Sequence, residues 1–483
     1  MSINLLDSIG EWNPQLLREL KGRLKPRNTL LAIGTSLMVQ VLLVMTAFDE
    51  YSSYDTWSDI FTTLTLLLPF VLMVGGAYML ASDLAQEQKQ GTLNFIRLCP
   101  QSSQSILMGK ILGVPIQLYL GIAAAIPLHI VAALITDISL KIIIGGYLIL
   151  AISACFFYSA ALLYIFVGGR QGWLAAVFAA ILHLSLSQLL VHSWLLGFID
   201  REDGISIAFI VLNLLVGTYW FWQGSNRRFR NPNATVLSKR QSYWLVTCVE
   251  VLLLGTLGLA TATSSFSSGS DRLILLRSIL SVNFIFFLVL LAILMPQHQA
   301  LLDWARYRRN RAATAKTFWQ RSLIQDLIWA EKSPAMGAIA LNLAIVFGFT
   351  ALWIVSWPGI GIKAQACLEL ALQLGAILIC AAIAHLMMLM KTQKRALWAA
   401  VSVGTVVLLP PAILLTLSFA PAQTPVFWLF STFAWLAVEH ASTAIALQVV
   451  LGQGLLLVIL NLLLAKQLRK LGESASKPLL AGT

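Results

Sequence analysis

Long apolar runs, separated by short polar segments, dominate the chain. A helix needs about 20 consecutive apolar residues to cross the hydrocarbon core of a bilayer. Twelve runs approach or exceed that length, so the pattern predicts an all-α fold, a polytopic transmembrane helical bundle of about twelve spans. The predicted spans are 29–48, 61–82, 106–135, 141–168, 172–198, 205–223, 243–263, 273–296, 336–356, 366–390, 396–419 and 440–466. Residues 425–437 form a shorter apolar run, which predicts a re-entrant or interfacial helix.

The composition agrees with a membrane protein. Of the 483 residues, 58% are hydrophobic and only 11% are charged, whereas soluble domains carry about 25% charged residues. This excludes an ordinary soluble domain and a disordered chain. The five cysteines include no CxxC pair, so neither a disulfide framework nor a zinc site is expected, and we predict no metal. Because the first 28 residues are polar and basic, we expect the first run to be an uncleaved anchor.

The basic residues alternate from loop to loop. With the N-terminus inside, all lysines and arginines except Lys141, Arg201, Arg272, Arg277 and Lys363 fall in cytoplasmic segments. Acidic residues collect in the opposite loops, for example at 49–59 and 200–203. By the positive-inside rule, this separation predicts an even number of spans with both termini in the cytoplasm. It also explains the net charge of +12 without a nucleic-acid partner.

An amphipathic helix is predicted before the first span, in the domain 1–28. Asn13 suits its cap and Pro14 its first position. Its apolar arc and the basic residues beside it are Leu16, Leu17, Leu20 and Leu24 with Arg18 and Lys21. These residues predict a helix lying in the headgroup plane of the lipid bilayer. The alternative is a solvated basic tail that only sets the topology.

A similar segment precedes a later span. Residues 321–334 carry apolar residues on one helical face and end at Pro334, within a basic cytoplasmic segment 297–335. The order of amphipathic helix, proline and span therefore occurs twice, which indicates two related halves.

The loop after the second predicted span, 83–108, has the sharpest motif. It reads E-x3-G-T-L-x6-P-x-S and then enters the next helix through Gly109-Lys110. We expect Gly91 to allow a sharp turn, Thr92 to cap a short helix, and Pro100 to end it. Ser102 or Ser103 can then cap the entry into the next helix. Leu93, Phe95 and Ile96 give that helix an apolar side. The loop thus predicts a helix held along the membrane surface, offering apolar side chains and Glu87 to a cytoplasmic partner.

This loop resembles the coupling region of the type-2 permease subunits of ATP-binding-cassette (ABC) transporters, and the opening Asn13–Lys21 resembles the start of a bacterial branch of that class. The resemblance covers about 60 residues. It implies a connecting helix at 14–27 and a coupling helix at 84–100 that docks on a separate ATPase subunit. The partner-binding positions would be Glu87, Gly91, Thr92, Leu93, Ile96 and Pro100. It also implies a multi-pass protein of the bacterial inner (plasma) membrane.

Two features depart from that class. Its members typically have six spans per half, whereas about twelve spans are predicted here. In addition, the second half of this chain lacks any E-x3-G-T loop. We divide the chain into 1–28, a first transmembrane half 29–223, additional spans 224–296, the basic segment 297–335, and a second half with a tail, 336–483. The chain forms a full transporter alone or one half of a homo- or hetero-dimer; the sequence leaves both open.

No G-x4-G-K-[ST] loop is present in the sequence. If ATP is used, ATP and Mg²⁺ therefore bind to the partner, and we expect neither a cofactor nor enzymatic activity in this chain. No catalytic arrangement accompanies the ionisable residues inside the predicted spans. Glu250 and His183 lie deepest, so we select them as candidates for a substrate path. Their alternative role is packing.

We therefore expect a permease subunit driven by a partner ATPase. The first alternative is a secondary transporter or channel driven by an ion gradient, which would depend on Glu250 or His183. The second is a membrane scaffold without transport activity.

Overall fold

The computed structural model describes residues 8–48, 53–195, 204–263, 269–314, 323–357 and 359–471. In these ranges every regular element is a helix. The helices are α1 (Pro14–Arg23), α2 (Pro26–Phe48), α3 (Ser53–Phe70), a π turn (Val71–Gly75), α4 (Gly76–Gln90), α5 (Thr92–Leu98), α6 (Ser103–Gly113), α7 (Ile116–Ile135), α8 (Leu140–Val167), α9 (Gly172–Leu195), α10 (Gly204–Arg230), α11 (Lys239–Thr263), α12 (Gly269–Leu294), α13 (His298–Thr314), α14 (Leu323–Trp329), α15 (Met336–Val355), α16 (Ile360–Met388), α17 (Arg395–Thr416), α18 (Pro425–Leu429), α19 (Trp435–Val438) and α20 (Thr443–Leu471).

Ten helical stretches of the described chain are long and apolar enough to cross a membrane. They are Pro26–Ala47, Thr56–Gln90, Ile116–Ile135, Leu140–Val167, Ile207–Arg230, Asp271–Leu294, Met336–Val355, Ile360–Met388, Arg395–Thr416 and Thr443–Leu471. The prediction of an all-α, multi-pass membrane bundle is thereby confirmed. The predicted runs 172–198 and 243–263 correspond to α9 and α11, which are not among the ten, so the count of twelve stays a prediction.

One predicted span is wrong. Residues 106–135 form two helices, α6 and α7, which are separated at Val114 and Pro115. Pro115 lacks a backbone N–H and its ring clashes with the preceding turn, so the helix ends before it. The span is therefore α7 alone, while α6, with 11 residues, is too short to cross.

The chain forms two compact units, Met1–Pro232 and Asn233–Thr483. The first has a continuous apolar core, which includes Leu80, Leu107 and Leu162. The second has smaller apolar clusters, one of which packs α18 and α19 around Trp428 and Leu429. The predicted short run 425–437 thus consists of two short helices.

The second span is continuous from Thr56 to Gln90 but contains a π turn. At 1.5 Å per residue, its 35 residues reach about 50 Å, well beyond a hydrocarbon core of about 30 Å. The π turn follows Pro69 and leaves the carbonyl of Leu72 to accept a hydrogen bond from the Tyr158 hydroxyl, at 2.9 Å. Gly76 makes room for this ring, because a Cβ there would lie 2.1 Å from the hydroxyl oxygen. The polar end of the span, α4, therefore extends out of the apolar layer.

In the second unit, an ion pair joins α12 and α16. Arg277 donates through Nη2 to Glu369 Oε1 at 2.9 Å and to Glu439 Oε2 at 3.1 Å. Glu369 is fully buried, and its charge is therefore matched by the arginine.

The second amphipathic segment is also fixed by a lysine. Lys239 Nζ donates to the carbonyl oxygens of Leu327 and Pro334, at 2.7 and 3.0 Å, and to Ser333 Oγ. These bonds hold the end of α14 and the entry into α15 against the start of α11. Part of the predicted 321–334 segment, residues 321 and 322, lies outside the described residues, as do the acidic loops at 49–52 and 200–203 and the tail 472–483.

Candidate functional site

The motif loop forms a sharp turn followed by the short helix α5. Gly91 adopts a left-handed conformation with φ of +77°, which a residue with a Cβ rarely adopts. The predicted turn and the predicted end of the helix before Pro100 are both confirmed. The prediction that Thr92 caps α5 is wrong, because Gly91 occupies the cap position. Instead, the Thr92 hydroxyl donates to the backbone carbonyl of Glu87, at 3.2 Å, and ties α5 to α4.

The two sides of α5 have different surroundings. Leu93 and Ile96 are buried in the core of the first unit. Phe95 and Leu98 are 74% and 81% exposed. The sequence resemblance predicts that Leu93 and Ile96 contact a partner, whereas the structure places both side chains inward, where they anchor the helix. The exposed apolar side chains are Phe95 and Leu98, of which Leu98 was not singled out from the sequence.

The helix α5 is also braced from α10. The guanidinium of Arg97 lies over the ring of Phe229, 5.6 Å from its centroid. At the start of α6, the Ser103 hydroxyl accepts a hydrogen bond from Arg230 Nε at 2.8 Å. The predicted cap at Ser102 is confirmed, since its side chain accepts from the backbone N–H of Ser105.

The N-terminal helix α1 packs closely on α6. The predicted cap is confirmed: the Asn13 side chain accepts from the N–H of Leu16, and its amide also donates to the carbonyl of Ser105 at 2.8 Å. Gly109 and Gly113 make the approach possible. A Cβ on Gly113 would lie 2.4 Å from Glu19 Cβ, and one on Gly109 would lie 2.8 Å from the Leu16 nitrogen.

The inward face of α1 differs from the predicted one. Its buried residues are Gln15, Leu16 and Glu19, so two polar side chains face α6. Of the predicted apolar arc, Leu17 and Leu20 are half-buried and Leu24 is exposed, while Arg18 and Lys21 are also exposed. The helix therefore docks through a polar stripe, because buried cationic charge on α6 attracts Glu19.

That charge belongs to Lys110, which is 1% exposed. Its ammonium donates to Glu19 Oε1 at 2.8 Å, to Asp83 Oδ2 at 2.7 Å and to Glu87 Oε1 at 2.7 Å. One lysine on α6 therefore joins α1 and α4 through three carboxylates.

Two arginines of α1 complete the cluster. Arg18 donates to Glu87 Oε1 at 2.9 Å, and Arg23 pairs with both Glu19 and Asp83. Three cations thus match three carboxylates, so the cluster is neutral as a whole. We call the six residues Arg18, Glu19, Arg23, Asp83, Glu87 and Lys110 the charge cluster.

The protonation states follow from these contacts. Burial alone would lower the pKa of Lys110, but the carboxylates of Asp83, Glu19 and Glu87 outweigh it and raise the pKa above its usual 10.5. Burial alone would raise the pKa of Glu19, and the charges of Lys110 and Arg23 hold it below its usual 4.5. Both groups are therefore ionised at neutral pH.

Three carboxylates of the cluster, Glu19, Asp83 and Glu87, have oxygens within 4.8 Å of one another, a spacing that suits a metal ion. The Lys110 ammonium lies within 2.8 Å of each of the three. It therefore supplies the cation. The sequence predicts that Glu87 contacts a cytoplasmic partner, whereas the structure places it inside this cluster, where it positions α4.

A cleft lined by several polar and charged residues lies beside α4. It has a volume of about 730 Å³ and is lined by Ser82, Gln86, Lys89, Arg170 and Gly172 among others. Lys89 and Arg170 are exposed. The cleft thus places two exposed cations beside α4, the helix that leads into α5.

The substrate-path candidates belong to different units, and each has its own surroundings. Glu250 on α11 is 1% exposed, and neither carboxyl oxygen has a hydrogen-bond partner among the described residues. The nearby Asn283 side chain, on α12, is also buried and has no hydrogen-bond partner in the described part of the chain. His183 on α9 is half-buried near the rings of Phe70 and Phe157. Glu250 therefore needs a polar partner, whereas His183 lies in an aromatic packing environment.

A histidine that we did not select is better connected. Both ring nitrogens of His129 are hydrogen-bonded. Nε2 lies 3.0 Å from Thr65 Oγ1, and Nδ1 lies 2.8 Å from the Tyr147 hydroxyl. Phe61 stacks on the ring with centroids 4.9 Å apart. No sequence pattern points to this group, because its members come from three different helices.

Comparison with known protein-family models, curated proteins and solved structures finds no match to this chain.

Proposed function

We propose that this chain is the membrane-spanning permease subunit of an ABC transporter, moving a substrate across the bacterial inner membrane with ATP hydrolysed by a separate subunit. The observation that carries the proposal is α5: a short helix at the polar end of a long span, anchored by Leu93 and Ile96, with Phe95 and Leu98 exposed. In water, two large exposed apolar side chains on one short helix mark a contact surface.

The charge cluster supports transmission of force from α5. A push on α5 reaches α4 directly through the turn at Gly91 and the bond from Thr92 to Glu87. It reaches α6 and α1 through Lys110 and the carboxylates of the cluster. Because buried ion pairs join α1, α4 and α6, these helices move as one unit in this proposal. The helix α4 then passes the motion into the rest of the second span.

The partner docks, in this proposal, by covering Phe95 and Leu98 and by placing acidic side chains near Lys89 and Arg170. Buried aromatic anchors dominate the energy of such interfaces, and charges at the rim speed association.

The test is co-purification of the tagged chain from its native membranes, with bound proteins identified by mass spectrometry and assayed for ATPase activity. We expect a protein with a Walker A loop and ATPase activity to be recovered, and Phe95→Asp with Leu98→Asp to reduce its recovery at least tenfold. Gln104→Asp adds one negative charge, half that of the double variant, at an exposed position at the start of α6 and should leave recovery unchanged.

Both variants should elute as monodisperse protein in detergent, because the substituted side chains are exposed. Recovery of the same ATPase by the double variant and by the native chain would overturn the docking surface. Absence of any ATPase from the native sample would overturn the proposed function.

The second candidate is an ion-gradient-driven transporter, and the buried Glu250 with its unpaired oxygens favours it. Ionisable groups inside a membrane bundle are commonly part of ion or proton paths. This function predicts substrate uptake into vesicles without ATP and its loss in Glu250→Gln. The permease proposal predicts no uptake without ATP and its partner.

A further inference from the structure

A lateral cleft lies between α2, α3 and α7 in the first unit. Its volume is about 630 Å³, within the range of about 300–1,000 Å³ typical of ligand sites. Leu31, Leu64, Leu68 and Val71 supply much of its apolar wall. Along α2 the cleft runs from Asn28 to Gln40, which is about 18 Å at 1.5 Å per residue. That length is close to one leaflet of a hydrocarbon core about 30 Å thick.

The helix α2 borders this cleft without closing it. Only 6% of the residues in its most apolar stretch, 18 residues long, are buried. It is attached to α7 by polar bonds: Ser36 donates to the carbonyl of Gly121 at 2.6 Å, and Gln40 donates to the carbonyl of Ala124 at 3.3 Å. These bonds satisfy the side chains of Ser36 and Gln40, and most of the other residues that line the cleft are apolar.

One end of the cleft is polar, and two basic residues adjoin it in the chain. Asn28 and Gln117 line it there. Lys25 and Arg27 directly precede Asn28 in the chain and are exposed, and neither has an ion-pair partner among the described residues. The first turn of α2 also directs its free N–H groups, the positive end of the helix dipole, toward the same end.

We propose that this cleft binds an anionic phospholipid, with one acyl chain between α2, α3 and α7 and the phosphate beside Lys25 and Arg27. The apolar wall suits the chain, the length fits one leaflet, and the unpaired cations match the headgroup charge. Binding would occupy the space beside α2 and so brace the helix that follows α1. The inference does not rest on the proposed function, because it needs no ATPase.

The test uses the full-length chain in nanodiscs that contain phosphatidylglycerol or phosphatidylcholine, each with a photoactivatable diazirine in the acyl chain. We expect cross-links to map to α2, α3 and α7, and phosphatidylglycerol to label several-fold more than phosphatidylcholine. Lys25→Glu with Arg27→Glu should abolish this preference while leaving the chain contacts in place.

A second variant fills the cleft. Gly121 lines the cleft, and a Cβ there would lie 3.6 Å from its nearest neighbour, the Ala32 carbonyl oxygen, which is an ordinary contact distance. We therefore expect Gly121→Leu to fold and the rest of its side chain to take up volume in the cleft. It should reduce labelling by both lipids several-fold. Gly34→Leu is the matched control, since it lies on α2 with no atom within 4 Å of its Cβ, and should label as the native chain does.

Equal labelling by the two lipids in the native chain would overturn the headgroup site. Native-like labelling in Gly121→Leu, with a monodisperse elution profile, would overturn the acyl-chain site.

Discussion

At the scale of single residues, the packing of α1 and α4 against α6 depends on the charge of Lys110. An ammonium ion transferred from water into a buried site is costly unless it is fully paired. Here three carboxylates from two helices surround it at 2.7–2.8 Å, and two arginines balance their excess negative charge. The six side chains therefore stabilise the fold only as a set, because removing one leaves opposite charges buried without partners.

Removal of the central charge tests this directly. Lys110→Met leaves three carboxylates facing only two arginines, and breaking such a buried set typically costs about 3–5 kcal/mol. We expect the thermal unfolding midpoint of the purified chain in detergent to fall by about 10 °C. Lys89→Met removes an exposed lysine of the same region and should leave the midpoint unchanged. Equal midpoints for Lys110→Met and the native chain would refute the structural role of the cluster.

The cluster also sets a pH dependence. Because the pKa of folded Glu19 is lowered, the stability it contributes is present above its usual value of 4.5 and is lost as pH falls below that value. Because the pKa of Lys110 is raised, its contribution is complete below 10.5 and is lost only at higher pH. We expect the unfolding midpoint to fall more steeply below pH 4.5 in the native chain than in Glu19→Gln. A parallel fall in both proteins would contradict this assignment.

At the scale of elements, α5 depends on the conformation of Gly91. The φ of +77° costs a residue with a Cβ about 1–2 kcal/mol, but Asn tolerates this region better than other residues. No atom lies within 4 Å of a Cβ at this position, so substitutions act through the backbone alone. We therefore expect Gly91→Val to weaken ATPase recovery severalfold and Gly91→Asn to retain most of it. Equal recovery by both variants would show that the turn is not needed.

The contact between α1 and α6 depends on small residues. Gly113→Ala places a Cβ 2.4 Å from Glu19 Cβ, which forces the helices apart, and overpacking of this kind costs about 1–3 kcal/mol. We expect faster tryptic cleavage within α1, at Arg18 or Lys21, than in the native chain. Gly145→Ala, at a glycine with open space around it, is the control. Unchanged cleavage in Gly113→Ala would mean that α1 does not depend on this contact.

Local signals in the sequence predicted the elements well. Asn13, Gly91, Pro100 and Ser102 each determine a helix end through the neighbouring backbone, and the structure confirms all four. The break at Pro115 was missed because the apolar run continues across it. The apolar period alone does not distinguish one long helix from two.

The candidate site was predicted less completely. Glu19, Asp83, Glu87 and Lys110 are charged residues of separate segments, and their pairing depends on how the helices pack. The apolar residues of α5 were recognised, but which side faces outward was not, since a seven-residue helix has too few turns to show a period.

At the scale of the whole molecule, each unit contains a helix, a proline and an apolar span in that order, and each such segment is bonded to a buried lysine. In the first unit Lys110 binds α1, and in the second Lys239 binds the end of α14. Only the first unit, in the described part of the chain, carries a loop like α5 with exposed Phe95 and Leu98. This asymmetry leads us to expect one principal ATPase contact per chain.

The most direct test of the account is the membrane side and accessibility of α5. Cys99 caps α5 and is exposed, so a variant that keeps this cysteine and replaces the other four with alanine reports on the helix. Labelling with a membrane-impermeant maleimide is compared in spheroplasts and in inverted vesicles. The account predicts labelling in inverted vesicles only, and protection when the partner ATPase is bound. Labelling from the outside of intact spheroplasts would contradict it.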